Sequence, residues 1–359
     1  TTSDTLGMSL NTPYFKVISV DKDMTFSPKF YADKSFMLQN EYRQVLENSK
    51  ILSDFSFLIG EHGTKSHLFY NQVGQLNNNL SYQIDIQDIT GDNYIKTHSL
   101  KETTPLIDRD DYLLSKADLN WIFADSSLNT SVKIFENLSA SKNDRYTFVL
   151  PDFNFVKQIS LPENYEGSFN FNSYGNVKNY NTNITDAKIT NDFLFESNEY
   201  INSSGITTNY NILIKNYNYY ANENSNVDDD RIYDLTGVIK IESALPLQKR
   251  MENYTNLLKP IVSLRYSPNG NSDLSNNNTL LDYNSVFGLN RLGSSSETEG
   301  GGSLSLGLEF NRKQSSGFEI FDFKVANVLR ADEDYRLPKR SKLNKTRSDI
   351  FGNLRYNFN

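Results

Sequence analysis

PYFKVISVDKDMTFSPKFYADKSFMLQNEYRQ, Pro13–Gln44, reads as two paired β-strands with a proline inside the first. Proline has no N–H to give to a ladder. Pro28, in MTFSPKF, therefore belongs on an edge, at a bulge, or in a seam whose weakness is useful. Which of these holds decides what kind of sheet protein this is, and the rest of the chain narrows the choice.

The 359 residues have room for a sizeable core or for one large barrel. Hydrophobic residues make up 37% and mean hydropathy is −0.57, low for a globular core, yet aromatics reach 13%, with 22 Tyr and 23 Phe against one Trp. Disorder accounts for the polarity but not for the aromatic and β-branched content. A transmembrane barrel accounts for both, because only alternate residues meet lipid and aromatic girdles mark its two interfaces. No run approaches the ~18 apolar residues of a membrane helix. A net charge of −8 and a pI near 5.1, with no basic stripe, argue against a nucleic-acid partner. The absence of cysteine rules out disulfides and thiol chemistry. TTSDTLGMSL at the start has neither a basic nor an apolar signal region, so any export signal is expected upstream.

Two-residue alternation recurs along the chain. In LSYQIDIQ, Leu80, Tyr82, Ile84 and Ile86 share one face while Ser81, Gln83, Asp85 and Gln87 share the other. KADLNWIF places Ala117, Leu119, Trp121 and Phe123 together, SLSLGLEFN does so for Leu304, Leu306, Leu308 and Phe310, and FGNLRYNFN for Gly352, Leu354, Tyr356 and Phe358. Less regular strands are expected over 36–45, 54–59, 67–76, 130–135, 153–159, 168–174, 192–197, 209–217, 236–243, 259–267 and 319–329. With the regular ones they total about sixteen, near the ~10-residue length of outer-membrane strands. Long polar loops are expected over 89–115, 219–234, 268–285 and 330–346. The fold expected is thus all-β, an antiparallel transmembrane β-barrel, with 1–359 as a single domain. Because RYNFN stops in mid-strand, we expect this domain to be a fragment of a larger barrel.

Three segments resemble the LptD family of lipopolysaccharide-assembly proteins. The opening segment follows the pattern "PYY…D…T.TP……….NE.R", with Pro13 and Pro28 on the family's two prolines. LKPIVSLRYSPN, 258–269, is similar to its "LEP…..Y.P" strand. LLDYNSVFGLNRLGSSSETEGGGSLSLGLEF, 280–310, is similar to "D….F..NR..G.DR.E.G.R…GL", with Asp282, Phe287, Asn290, Arg291, Glu299 and Gly300 on the pattern. Ser294, Ser295 and Ser296 stand where the family usually has Gly-Tyr-Asp-Arg. The resemblance implies an outer-membrane translocon that inserts lipopolysaccharide into the outer leaflet through a lateral gate at Pro13 and Pro28. It further implies a plug lipoprotein in the lumen, periplasmic bridge proteins, and, in the whole protein, a preceding jelly roll and further C-terminal strands. No cofactor is expected.

Other residues admit a functional and a bland reading. Pro28 could simply end an edge strand. Lys29, Glu41 and Arg43 line a polar lumen for a glycolipid headgroup, or satisfy one another as interior ion pairs. Asp228, Asp229 and Asp230 hold Ca²⁺ or Mg²⁺ through hard oxygen ligands, or form a solvated loop. Gly300–Gly302 precedes a strand and reads as a turn rather than a phosphate cradle. Catalysis has little to build on: His62, His67 and His98 are the three histidines, none in a helical zinc-pair spacing, and no Gly-x-Ser-x-Gly elbow is present. The chain is therefore read as a non-enzyme, although a lipase would have to use one of these histidines. The rival functions are a general porin or ligand importer, and a soluble β-rich binding protein whose Leu80, Tyr82, Ile84, Leu304 and Leu306 pack against a second sheet.

Overall fold

A computed structural model describes residues 2–3, 7–60, 63–162, 164–181, 183–224, 231–293 and 296–358. His62, the acidic run Asp228–Asp230, and Ser294 and Ser295 lie outside the described residues. The all-β antiparallel expectation holds: twenty-one strands are present among the described residues, fifteen of them ten residues or longer. No helix there is long and apolar enough to cross a membrane.

The chain forms two compact units. In the first, Lys22–Tyr31, Phe36–Val45, Ser49–Gly60, Gly63–Asn77, Leu80–Ile89, Tyr112–Ile122 and Ser126–Asn137 pair antiparallel, each with the next. Register aligns the alternation read from sequence: Leu80 faces Trp121, Tyr82 faces Leu119 and Ile84 faces Ala117, so apolar cross-strand pairs fall together on one face. The other face carries Gln39 opposite Ser56 opposite His67, and Glu41 opposite Asp54 opposite Phe69.

In the second unit, Tyr254–Ser267 pairs on one side with residues 239–244 of Arg231–Ala244, and on the other with Gly301–Gln314; Glu319–Arg330 and Phe351–Tyr356 follow. One row across four strands reads Lys240, Arg265, Ser303, Arg330. Their sequence neighbours alternate to the opposite face, where Ile239, Ile241, Val262, Leu264, Tyr266 and Leu306 keep between 41% and 57% of their surface exposed. Among the described residues no second sheet layer buries them, and Leu80, Tyr82, Ile84 and Leu304 are likewise not buried.

The long connections depart from expectation. The stretches expected as polar loops at 89–115, 268–285 and 330–346 each bury apolar side chains against the polar face of the strands. In the first unit, Tyr94 and Ile95 of the short helix Tyr94–His98, with Leu100 and Ile107, join Tyr31, Met37, Leu58, Phe69 and Leu113 in one core cluster. In the second, Leu281, Tyr283, Val286 and Leu292, with Leu337 and Leu343 of the 331–350 connection, pack on Ala326, Val328 and Phe351. At ~1.5–3 kcal/mol for each fully buried aliphatic or aromatic side chain, docking these segments is strongly favoured over leaving them in water. At the expected loop 219–234, the strands Thr207–Asn222 and Arg231–Ala244 run into its two ends, so 219–222 and 231–234 are strand.

Candidate functional site

Pro28 lies neither on an edge nor at a bulge. It sits inside Lys22–Tyr31, opposite Leu38 on one side, and that pairing is unbroken. On the other side two short strands meet it, Gly7–Asn11 and Tyr14–Ser19, separated by Thr12 and Pro13. Asn11 faces Lys29 and Tyr14 faces Phe26, so in the same register Thr12 falls opposite Pro28 and Pro13 opposite Ser27. Thr12 N donates to Pro28 O at 3.2 Å. In an antiparallel pair the N–H and C=O of one residue point to the same neighbour, so the bond that Pro28 cannot make is the reciprocal one, to Thr12 O. The two prolines thus bring the interruption of the first strand and the lost donor of the second to one spot.

Lys29, Glu41 and Arg43 are on the polar face of the same strands, and the structure gives each a local partner. Lys29 Nζ donates to His98 O at 3.4 Å, and Arg43 Nε binds Asp23 Oδ1 at 2.8 Å and lies 3.5 Å from Glu41 Oε1. Lys29 touches the short helix Tyr94–His98; Glu41 and Arg43 form an ion-pair group with Asp23.

Beneath that helix runs a buried polar chain. Gln39 Nε2 donates to both Asp54 oxygens, at 3.1 and 2.9 Å, and His67 Nε2 donates to Asp54 Oδ1 at 2.9 Å. With Nε2 as donor, Nδ1 accepts from Ser56 Oγ at 2.6 Å, and Ser56 in turn accepts from Tyr94 Oη at 2.7 Å. Ser, His and Asp are all present, but the ring is turned opposite to a hydrolytic triad, and Ser56 is 0% exposed beneath Tyr94. The arrangement fastens a loop and offers no nucleophile. His98 closes it, with Nδ1 2.6 Å from Tyr31 Oη. Burial first, then the Lys29 and Lys65 cations, push its pKa down to about 4, so it is neutral at pH 7. Burial raises the Tyr94 hydroxyl to about 12.

The second unit gathers the sequence-predicted motif residues. Asp282 caps the turn Ser285–Phe287, its Oδ1 accepting from Ser285 N at 2.7 Å. Phe287 lies where a Cβ on Gly307 would come within 2.5 Å of its ring, which explains a glycine in mid-strand. Asn290 Nδ2 donates to Glu297 O at 2.9 Å, closing the loop on itself. Arg291 grips Glu299 in a fork, Nε to Oε2 at 2.6 Å and Nη2 to Oε1 at 2.8 Å, and donates to Ser303 Oγ at 2.5 Å. Arg330 Nη1 bonds the same Oε1, and its Nη2 donates to Gly300 O at 2.9 Å. Gly300 admits no side chain, since a Cβ would lie 2.0 Å from Asn269 O. Arg265 Nε donates to Leu289 O at 2.7 Å. Burial opposes the charged form of Glu299, but Arg291, Arg265 and Arg330 outweigh it and hold the carboxyl below the usual range.

The sequence model of the LptD family, described as LPS transport system D, matches residues 64–359. The chain belongs to the LptD family. It is similar to an LPS-assembly protein LptD of Pseudoalteromonas translucida (strain TAC 125), 26% identical over 192 residues, 50% of this chain and 23% of that protein. It is also similar to one of Idiomarina loihiensis (strain ATCC BAA-735 / DSM 15497 / L2-TR), 28% identical over 99 residues, 26% of this chain and 13% of that protein. The chain therefore spans less than a quarter of these LptD relatives in the aligned regions. The LptD match covers the Asn290–Gly300 motif, and the fork it builds explains why those residue types sit at that spacing. Reading the sequence alone singled out Arg291 and Glu299 but missed Arg265, Arg330, Ser56 and Asp54. Each is on the polar face by parity of its strand, and that signal becomes legible only once register is fixed. The five-residue spacing of His62 and His67 carried no such information. Among the described residues no group of three or more His, Cys, Asp or Glu side chains is arranged to hold a metal.

Proposed function

We propose that this chain is part of the membrane-embedded wall of an outer-membrane translocon that assembles lipopolysaccharide in the outer leaflet. A lateral gate lies near its N-terminal strands at Pro13 and Pro28, loosened by the donor Pro28 lacks beside the strand break at Thr12–Pro13. The observation that carries the reading is the one-sided defect at Thr12–Pro28, set in a chain of the LPS transport family. A ladder with one bond missing beside a two-residue interruption parts at lower cost than its neighbours. The acyl chains pass sideways through this seam while the sugar headgroup travels along the polar face. No bond is made or broken. A plug lipoprotein, a periplasmic bridge and energy delivered from the inner membrane complete the assembly in this reading.

The test is depletion of the protein in its own cell. Lipopolysaccharide should accumulate in the periplasm, and the purified protein should carry a lipoprotein with it. A porin would instead conduct ions steadily in planar bilayers without a plug, and depletion would leave surface lipopolysaccharide unchanged; either result would overturn the proposal. A soluble binding protein is disfavoured by the uncovered apolar face.

A further inference from the structure

Arg265 is 4% exposed, yet both of its Nη groups lack a hydrogen-bond partner. This is unusual for a guanidinium, whose five N–H groups are all costly to bury unmet. The reason is local stoichiometry. Three guanidiniums, of Arg265, Arg291 and Arg330, surround one carboxylate, Glu299, the one acidic group among the charges acting on Arg265. Arg291 and Arg330 use up both Glu299 oxygens, as described above. Arg265 is left with the Leu289 carbonyl alone. Arg330 Nε is also unmet, as are the hydroxyls of Ser267, two residues along the same strand face, and Thr298, next to Glu299. These four side chains together hold two more positive than negative charges, Asp334 and Asp332 acting on Arg330 from outside the group, and the unspent groups are all able to donate.

Buried excess charge of this kind is stable only with a counter-charge, and planar guanidinium forks match the oxygen geometry of phosphate and carboxylate. We infer that the Arg265 cluster is an oxyanion site, taking a phosphomonoester or carboxylate group beneath the 268–300 connection. Lys240, next in the row, is already paired with Glu242 at 3.2 Å and the Phe287 carbonyl at 2.8 Å, so it does not compete for the anion. The oxyanion arrives free or as part of a glycolipid headgroup; the second source rests on the transport reading above, the site itself does not.

The protein in detergent micelles is titrated with inorganic phosphate at constant ionic strength, followed by ³¹P NMR and by thermal melting. Wild type should bind saturably and melt higher with phosphate than with chloride. Arg265→Gln should weaken binding about tenfold or more, the effect of losing one hydrogen-bonded charge. Without phosphate it should melt no lower than wild type, because it removes an uncompensated cation. Non-saturable binding to wild type, or equal affinity in the variant, overturns the site. If Arg265→Gln loses its sheet circular dichroism, Arg265→Lys decides: it keeps the charge but not the fork, and undiminished affinity overturns the site. A phosphorylated glycolipid that displaces inorganic phosphate, where its dephosphorylated form does not, identifies the headgroup as the source. Failure to displace assigns the site to the free anion and leaves the transport reading standing.

Discussion

Replacing Pro28 by Val should restore the bond missing from the seam at Thr12–Pro28. Valine supplies the N–H that Pro28 lacks, aimed at Thr12 O, and its β-branched side chain suits a strand. The geometry is already in place, since Thr12 N reaches Pro28 O at 3.2 Å and Pro28 pairs normally with Leu38 on its far side. One net backbone hydrogen bond is worth about 0.5–1.5 kcal/mol, so the opened fraction of the seam should fall roughly two- to twelvefold. The reporter is amide exchange at Thr12 and through Gly7–Asn11 and Tyr14–Ser19, measured by hydrogen–deuterium mass spectrometry. Pro13→Val is the matched control. Pro13 falls opposite Ser27, one residue out of phase with the bonded pair, so a restored N–H there points away from Lys22–Tyr31. Slower exchange in Pro28→Val alone, with slower delivery of lipopolysaccharide to the cell surface, supports the gate. Unchanged exchange at Thr12, or equal protection by both variants, refutes the reasoning.

Glu299→Gln should destabilise by about 3–5 kcal/mol, because it leaves buried guanidiniums uncompensated; a denaturant midpoint within error of wild type would contradict this. Docking of the 90–111 segment should weaken as pH falls from about 6.5 to about 4. His98 stays neutral when folded but protonates when released, so its contribution is present above pH 6.5 and lost by about pH 4, roughly 3 kcal/mol in all. Limited proteolysis across that range reads this out, and His98→Gln should flatten the profile. Gly307→Ala should cost about 1–3 kcal/mol by driving a methyl into the Phe287 ring, and Phe287→Leu should recover part of that loss in thermal melts.

Much of this architecture was readable from residue order. LSYQIDIQ and SLSLGLEFN alternate with period two, and a pleated strand is the one backbone that turns such a pattern into an apolar and a polar face. Proline at position 28 announced a lost donor, and Asn290 to Gly300 announced a motif. What residue order could not convey was direction and partnership. The missing N–H of Pro28 faces Thr12 rather than Leu38 because of the phase of the hydrogen-bonded pairs, which changes with a one-residue slip. The expected polar loops 268–285 and 330–346 gave no sign of docking, because the apolar residues they bury, Leu281 and Tyr283 in one and Leu337 and Leu343 in the other, follow no strand or helix period. They are buried only because the facing strands present Ala326 and Val328 to receive them.

Local alternation alone therefore determined that this chain makes antiparallel sheet with one greasy and one wet side, since side-chain direction in a strand is fixed by the backbone. Tertiary structure alone decided that Arg265, Arg291, Glu299 and Arg330, spread over some 65 residues, share one buried pocket of charge. Coulomb and hydrogen-bond terms act through space, and only the fold sets those distances.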